Sequence, residues 1–118
     1  MLAAVLFDEP DGDVAAENLR GCDLFAPSLI DHEMVSVAAK KSLAGLEDVA
    51  RQGLAGLARV QLTRCQTDVA AQYQLALAYN LSAYDAAYLW LAQHLQAPLA
   101  TFDRRLAAAA RQHLGAGP

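Results

Sequence analysis

The chain has 118 residues, of which 55% are hydrophobic and 19% charged, and its net charge is −4. This length suits one hydrophobic core, and this composition excludes a disordered chain. The apolar runs are too short to cross a bilayer, which takes about 20 residues, so no membrane segment is expected. The negative charge argues against binding nucleic acid through the overall electrostatic field, although local basic patches remain open.

The first half of the chain predicts helices separated by a brief extended run. In chain order, the predicted elements are a helix at Leu2–Phe7, a helix at Val14–Leu19, a strand at Asp23–Ala26, a long helix from Pro27 to about Leu46, and a shorter helix or turn region at Glu47–Leu57. Ser28 and Asp31 match the S-x-x-D capping pattern, which places the start of the long helix near Ser28.

The second half alternates strands and helices. The predicted elements are a strand at Arg59–Thr63, a helix that Thr67 caps and that runs to about Tyr79, a helix from Ser82 to Leu95, a strand at Pro98–Phe102, and a last helix at Arg104–His113. Asn80 suits the left-handed position that ends a helix. This alternation predicts an α/β fold with a parallel sheet, in a single domain that spans residues 1–118.

Glu33 stands out on the predicted long helix. It falls within the inward apolar stripe that Ile30, Met34 and Val37 define, where a carboxylate is not expected. One interpretation is a side chain that reaches solvent or the ammonium group of Lys40. The other is a functional carboxylate, and the sequence leaves both open.

Asp85 and Asp103 also have both structural and functional interpretations. Asp85 lies in the first turn of a helix that is apolar nearly all round, but with Ser82 as N-cap its carboxylate can serve the helix N-terminus. Asp103 follows the last predicted strand, where α/β sheets form their sites, and it can equally cap the helix that starts at Arg104. Taken with Glu33, the two aspartates form a set of acids suited to Mg²⁺ or Mn²⁺.

Other chemistries have little support in the sequence. The three histidines have no metal-ligand spacing, and we expect them to be surface or hydrogen-bonded residues. The cysteines lack a histidine partner pattern, and the glycines form neither a phosphate-binding loop nor a dinucleotide-binding fingerprint.

Two stretches, APSLIDHEMVSVAAKK and SAYDAAYLWLAQHLQAPLATFDRRLAAAA, resemble the PIN-domain family, in particular the VapC-type ribonuclease toxins of bacterial toxin–antitoxin pairs. The Tyr-Asp-Ala run at Asp85, followed by the Thr-x-Asp run that ends at Asp103, is the most specific part. The opening LAAVLFDEP also resembles the helix after the family's first strand, so the resemblance covers almost the whole chain. It implies a three-layer α/β/α domain that binds Mg²⁺ or Mn²⁺ and cleaves RNA.

The resemblance also implies roles for particular residues. Glu33, Asp85 and Asp103 match the family's metal-binding and catalytic acids, and Thr101 matches the hydroxyl residue beside the last of them. Ser36 stands where the family often has an asparagine and is expected to support the site. Like charges gathered in an apolar cleft should raise at least one carboxyl pKa.

One departure concerns the front of the chain. The family's domain begins with a central strand that ends in an aspartate, and this chain starts after the corresponding point. We therefore expect an N-terminally truncated domain that lacks the first strand and the first metal-binding acid. Asp8 lies too far along the following helix to replace that acid.

Two functions follow as hypotheses. The first is a Mg²⁺- or Mn²⁺-dependent endoribonuclease in the cytoplasm, a toxin that acts on RNA, binds a cognate antitoxin and forms a homodimer. Its candidate contacts to the RNA backbone are Lys40, Lys41, Arg104 and Arg105. The alternative is a PIN-like binding module that docks an antitoxin but has lost hydrolysis with its first aspartate.

Overall fold

The structure is a computed structural model that describes residues 12–21, 23–99, 101 and 103–114, without the side chain of Asn18. Its elements are α1 (Gly12–Leu19), β1 (Leu24–Pro27), α2 (Ile30–Leu43), α3 (Glu47–Arg59), β2 (Leu62–Cys65), α4 (Val69–Tyr79), α5 (Ala83–Leu95) and α6 (Arg104–Leu114). Strands β1 and β2 pair in a short parallel sheet. Helices combined with a parallel sheet confirm the predicted α/β class. The helix predicted at Leu2–Phe7 lies outside the described residues.

The chain divides into two compact units, the first formed by residues 1–25 and 29–63. Helices α2 and α3 of this unit pack against each other. Each buries one stripe of residues at helical spacing, namely Ile30, Met34 and Ala38 on α2 and Ala50, Gly53 and Leu57 on α3. The connection between them turns at Gly45, whose φ of +85° is a left-handed conformation that favours glycine.

The second unit comprises residues 26–28 and 64–118. Its core is formed by buried residues from α4, α5, α6 and the α4–α5 connection: Leu75, Leu81, Ala86, Leu89, Leu106 and Ala109. Helix α4 ends as predicted at Asn80, which adopts the left-handed conformation with φ of 52°. Ser82 then caps α5, because its side-chain oxygen accepts a hydrogen bond of 3.1 Å from the Asp85 N–H. These local signals fix where α5 begins.

The start of α2 differs from the prediction. Ser28 does not cap this helix, which begins at Ile30 with Leu29 as its N-cap and without a side-chain capping bond. The reason is that the backbone N–H of Ser28 donates to the carbonyl oxygen of Cys65 at 2.9 Å, so Ser28 continues the pairing of the strands.

The predicted end of α2 and the start of the second strand were also misplaced. Helix α2 ends at Leu43 because the chain turns at Gly45, and α3 continues as one helix to Arg59. Strand β2 therefore begins only at Leu62. The N-cap of α4 is Asp68, not the predicted Thr67.

The strand predicted at Pro98–Phe102 is wrong for the residues of that segment that the structure describes, Pro98, Leu99 and Thr101, none of which is in a strand. Leu99 instead packs against the core of the second unit. Proline also has no N–H to offer a neighbouring strand. Ala100 and Phe102 lie outside the described residues.

None of the helices within the described ranges combines the length and hydrophobicity that crossing a bilayer requires.

The core of the second unit generates a stability prediction. Leu89 has 0% of its surface exposed, so Leu89→Ala leaves a cavity and should lower the free energy of unfolding by about 2–5 kcal/mol in urea titrations. Leu77 on α4 is 63% exposed, and Leu77→Ala should stay within about 0.5 kcal/mol of the wild type. Equal losses from the two variants would contradict this core.

Candidate functional site

Asp85 lies in the first turn of α5, where it is half-buried. The pKa of its carboxyl group is raised above its ordinary value of 3.8, first because burial disfavours the charged form and second because of the negative charge of Asp103. A hydrogen bond with the side chain of Ser82 acts in the opposite direction, since it lowers the pKa. A rise in at least one carboxyl pKa was expected, and the pKa of Asp85 is raised, but by burial and by Asp103; the gathering of three acids stays a prediction.

Asp103 caps α6, as one of its two sequence interpretations predicts. Its Oδ1 accepts a hydrogen bond of 2.8 Å from the Leu106 N–H, the third residue of the helix. Its own N–H donates to Oγ1 of Thr101 at 3.0 Å. The hydroxyl group of Thr101 therefore orients the backbone of Asp103. Through this contact Thr101 supports the position of the Asp103 carboxylate.

The two aspartates combine into a candidate cation site within the second unit. Both carboxylates stand at helix N-termini, whose partial positive charge favours negative groups, yet they also repel each other. Carboxylate oxygens are the ligands that Mg²⁺ and Mn²⁺ prefer, so this donor set fits such an ion. Within either unit, the described residues contain no group of three or more His, Cys, Asp or Glu side chains that could hold a metal.

Glu33 belongs to the first unit, in the first turn of α2. It is half-buried, and its neighbours Ile30 and Met34 on the predicted inward stripe are buried. Ser36, further along the same helix, is exposed. That Glu33 joins the two aspartates, with Ser36 in support, stays a prediction.

The four candidate RNA-contacting residues differ in their surroundings. Lys40, Arg104 and Arg105 are exposed and Lys41 is half-buried. The side chain of Arg104 makes no hydrogen bond or ion pair with the part of the chain that the structure describes. Arg105 instead donates from Nη1 to the carbonyl oxygen of Asn80 at 3.4 Å, so it links the start of α6 to the end of α4.

His113 confirms the interpretation of a hydrogen-bonded histidine. Its Nδ1 lies 3.0 Å from Tyr79 Oη and its Nε2 lies 2.6 Å from Gln93 Oε1. The same ring makes an edge contact with Tyr79. Both ring nitrogens are thus engaged in packing α4, α5 and α6 together.

A cleft of about 640 Å³ is lined by residues of α5, of α6 and of the connection between them, with Gln93, Thr101, Arg111 and His113 among them. Neither Asp85 nor Asp103 lines it. Thr101, whose hydroxyl accepts a hydrogen bond from the Asp103 N–H, does line it, so the cleft adjoins the backbone that carries Asp103.

Sequence reasoning missed one residue beside the site, Gln72 on α4. Its side-chain Nε2 donates to the carbonyl oxygen of Ala83 at 2.8 Å, and its Oε1 accepts from the Thr67 hydroxyl at 2.7 Å. The only indication of this role in the sequence is a glutamine side chain that follows two alanines in the first half of a predicted helix. That signal does not say which neighbour the amide reaches.

The fold is α/β, and its second unit carries two interacting carboxylates at helix N-termini. The PIN domain family model matches residues 1–112. The chain belongs to the PIN-domain family. Neither the curated proteins nor the solved structures contain a significant match to it. PIN domains are generally nucleases, so family membership indicates a nuclease.

The raised pKa of Asp85 generates a pH prediction. Because the folded protein holds the Asp85 proton more tightly than the unfolded chain does, ionising Asp85 destabilises the fold, and stability is lost as pH rises from 3.8 through the folded pKa. The variant Asp85→Asn has no carboxyl group to ionise at this position, so it does not lose stability in this way. In urea titrations between pH 3 and pH 7, the variant should match the wild type at the acid end and exceed it near neutrality.

The matched control is Asp68→Asn, since Asp68 caps α4 with a side-chain bond of 3.1 Å to the Ala71 N–H and asparagine caps equally well. It should not exceed the stability of the wild type near neutrality. Parallel profiles for wild type and Asp85→Asn would contradict the electrostatic account of Asp85.

Proposed function

We propose that the protein is a Mg²⁺- or Mn²⁺-dependent endoribonuclease and the toxin component of a type II toxin–antitoxin pair. The observation that carries the proposal is the interaction of two like charges, Asp85 and Asp103, at helix N-termini in a member of the PIN-domain family. A bound divalent cation would convert this repulsion into attraction to a shared ion. The resemblance of the Tyr-Asp-Ala and Thr-x-Asp runs to VapC-type toxins supports the toxin assignment.

Asp85, Asp103 and Glu33 would hold the ion. Such an ion would supply activation of water for attack on phosphorus and stabilisation of the leaving oxygen. The chain's own residues orient the ligands. Asp103 is fixed through its cap on α6 and through Thr101, and Asp85 is fixed by the Ser82 cap of α5.

The basic residues would bind the RNA backbone. Arg104 directly follows Asp103 and is exposed, which supports a contact with a phosphate beside the acids. Lys40 and Lys41 would contribute a second basic patch on α2. The side chain of Arg105 is hydrogen-bonded to the carbonyl oxygen of Asn80. We therefore expect Arg105 to contribute less to RNA binding than Arg104.

The remaining parts of the proposal come from the resemblance alone. They are an antitoxin protein as the cognate partner, a homodimer as the assembly and the cytoplasm as the location. The family's first aspartate has no counterpart among the three acids of the proposal. A chain that binds RNA or an antitoxin without cleaving RNA would be the binding module considered as the alternative.

The proposal is tested by cleavage of a mixed RNA pool in the presence of Mn²⁺. Asp103→Asn keeps the helix cap, because asparagine is as good an N-cap as aspartate, but it removes one charge from the site. We expect its cleavage rate to fall by about 100-fold or more, since even indirect partners of a metal are worth about 10–100-fold. Chelation of the metal should abolish wild-type cleavage.

Asp68→Asn is the control, since it makes the same chemical change at the cap of α4. It should cleave at the wild-type rate. Wild-type cleavage that persists with a chelator, or an Asp103→Asn variant as active as Asp68→Asn, would contradict the proposal.

A further inference from the structure

The side chain of Gln72 is held at both ends. The Thr67 hydroxyl donates to its Oε1 at 2.7 Å, and its Nε2 donates to the carbonyl oxygen of Ala83 at 2.8 Å. The orientation of the amide is determined by chemistry, because a backbone carbonyl only accepts and must therefore meet the NH₂ group. Both Thr67 and Gln72 are half-buried. Gln72 thus forms a fixed bridge between the start of α4 and the start of α5.

The bridge ends in the turn that carries Asp85. Ala83 is the first residue of α5, and Asp85 lies two residues further on. The first turn of a helix lacks the full set of backbone hydrogen bonds on its N–H side, so lateral contacts determine how rigidly it is held. Arg105 reaches the same region through Asn80, but at 3.4 Å its bond is the longer one. Of these two bonds, the one from Gln72 is the shorter and ends on α5 itself, whereas the one from Arg105 ends on the C-cap residue of α4.

We propose that Gln72 is a positioning residue for Asp85, and that Thr67 orients Gln72. The proposal rests on the proposed function of Asp85 as a metal ligand. A carboxylate ligand contributes fully only when its own backbone is held in the binding geometry, and partners outside the direct ligand set provide that support. Glutamine suits this bridge because its neutral side chain both accepts from a hydroxyl and donates to a carbonyl.

The test compares two glutamines on the same helix. Gln72→Met keeps length and neutrality but removes both hydrogen bonds. Gln74→Met makes the same change at an exposed position of α4. Thr67→Val removes the hydroxyl that orients Gln72, whereas Thr67→Ser keeps it and should restore wild-type behaviour.

Mn²⁺ affinity of the full chain is the first measurement, and amide hydrogen exchange in the first turn of α5 is the second. Gln72→Met should weaken Mn²⁺ binding about tenfold or more and speed the exchange of the Asp85 N–H. Thr67→Val should change both quantities in the same direction, and Gln74→Met and Thr67→Ser should change neither.

Two results would overturn the proposal: wild-type Mn²⁺ affinity in Gln72→Met despite reduced stability, or unchanged exchange of the Asp85 N–H. If the proposed function is wrong, the experiment gives a different result. In that case the wild type itself binds no Mn²⁺, and the positioning of Asp85 by Gln72 is then decided by hydrogen exchange alone.

Discussion

The second unit holds two carboxylates, Asp85 and Asp103, whose negative charges repel each other. Any account of this unit has to explain why both charges are present. Each aspartate has a structural explanation, since one lies in the first turn of α5 and the other caps α6. The cap of α6 does not require a charge, because asparagine and serine cap helices as well as aspartate does. A fold that needed only caps would avoid placing two negative charges together, one of them partly buried. The proposed binding of a cation would give a reason for both charges.

The surroundings of the two acids show how the chain holds them in place. Ser82 and Asn80 set the short connection from which α5 starts, and the left-handed conformation of Asn80 allows that connection to be tight. Thr101 holds the backbone N–H of Asp103. Gln72 adds a bond from α4 to the first residue of α5. The acids thus stand at helix starts that several independent hydrogen bonds define.

Local signals in the sequence predicted this part of the fold well. The Ser82 cap, the left-handed Asn80 and the Asp103 cap each depend on residues within a few positions, so their residue types were sufficient to predict them. The strands were predicted less well, because pairing between distant segments decides their limits. The sequence predicted Ser28 as a helix cap. In the structure its N–H donates to the carbonyl oxygen of Cys65, which is far along the chain. The bond from Gln72 to Ala83 is non-local in the same way, which is why sequence reasoning missed it.

The central claim is that Asp85 and Asp103 bind a divalent cation, and thermal melting with and without Mn²⁺ tests it most directly. An ion that binds only the folded state stabilises it by about 2.7 kcal/mol at 100 times its dissociation constant. The account predicts a Mn²⁺-dependent rise in Tm for the wild type and for Asp68→Asn, and a much smaller rise for Asp85→Asn. Equal rises in all three proteins would show that the cation acts elsewhere and would contradict the account.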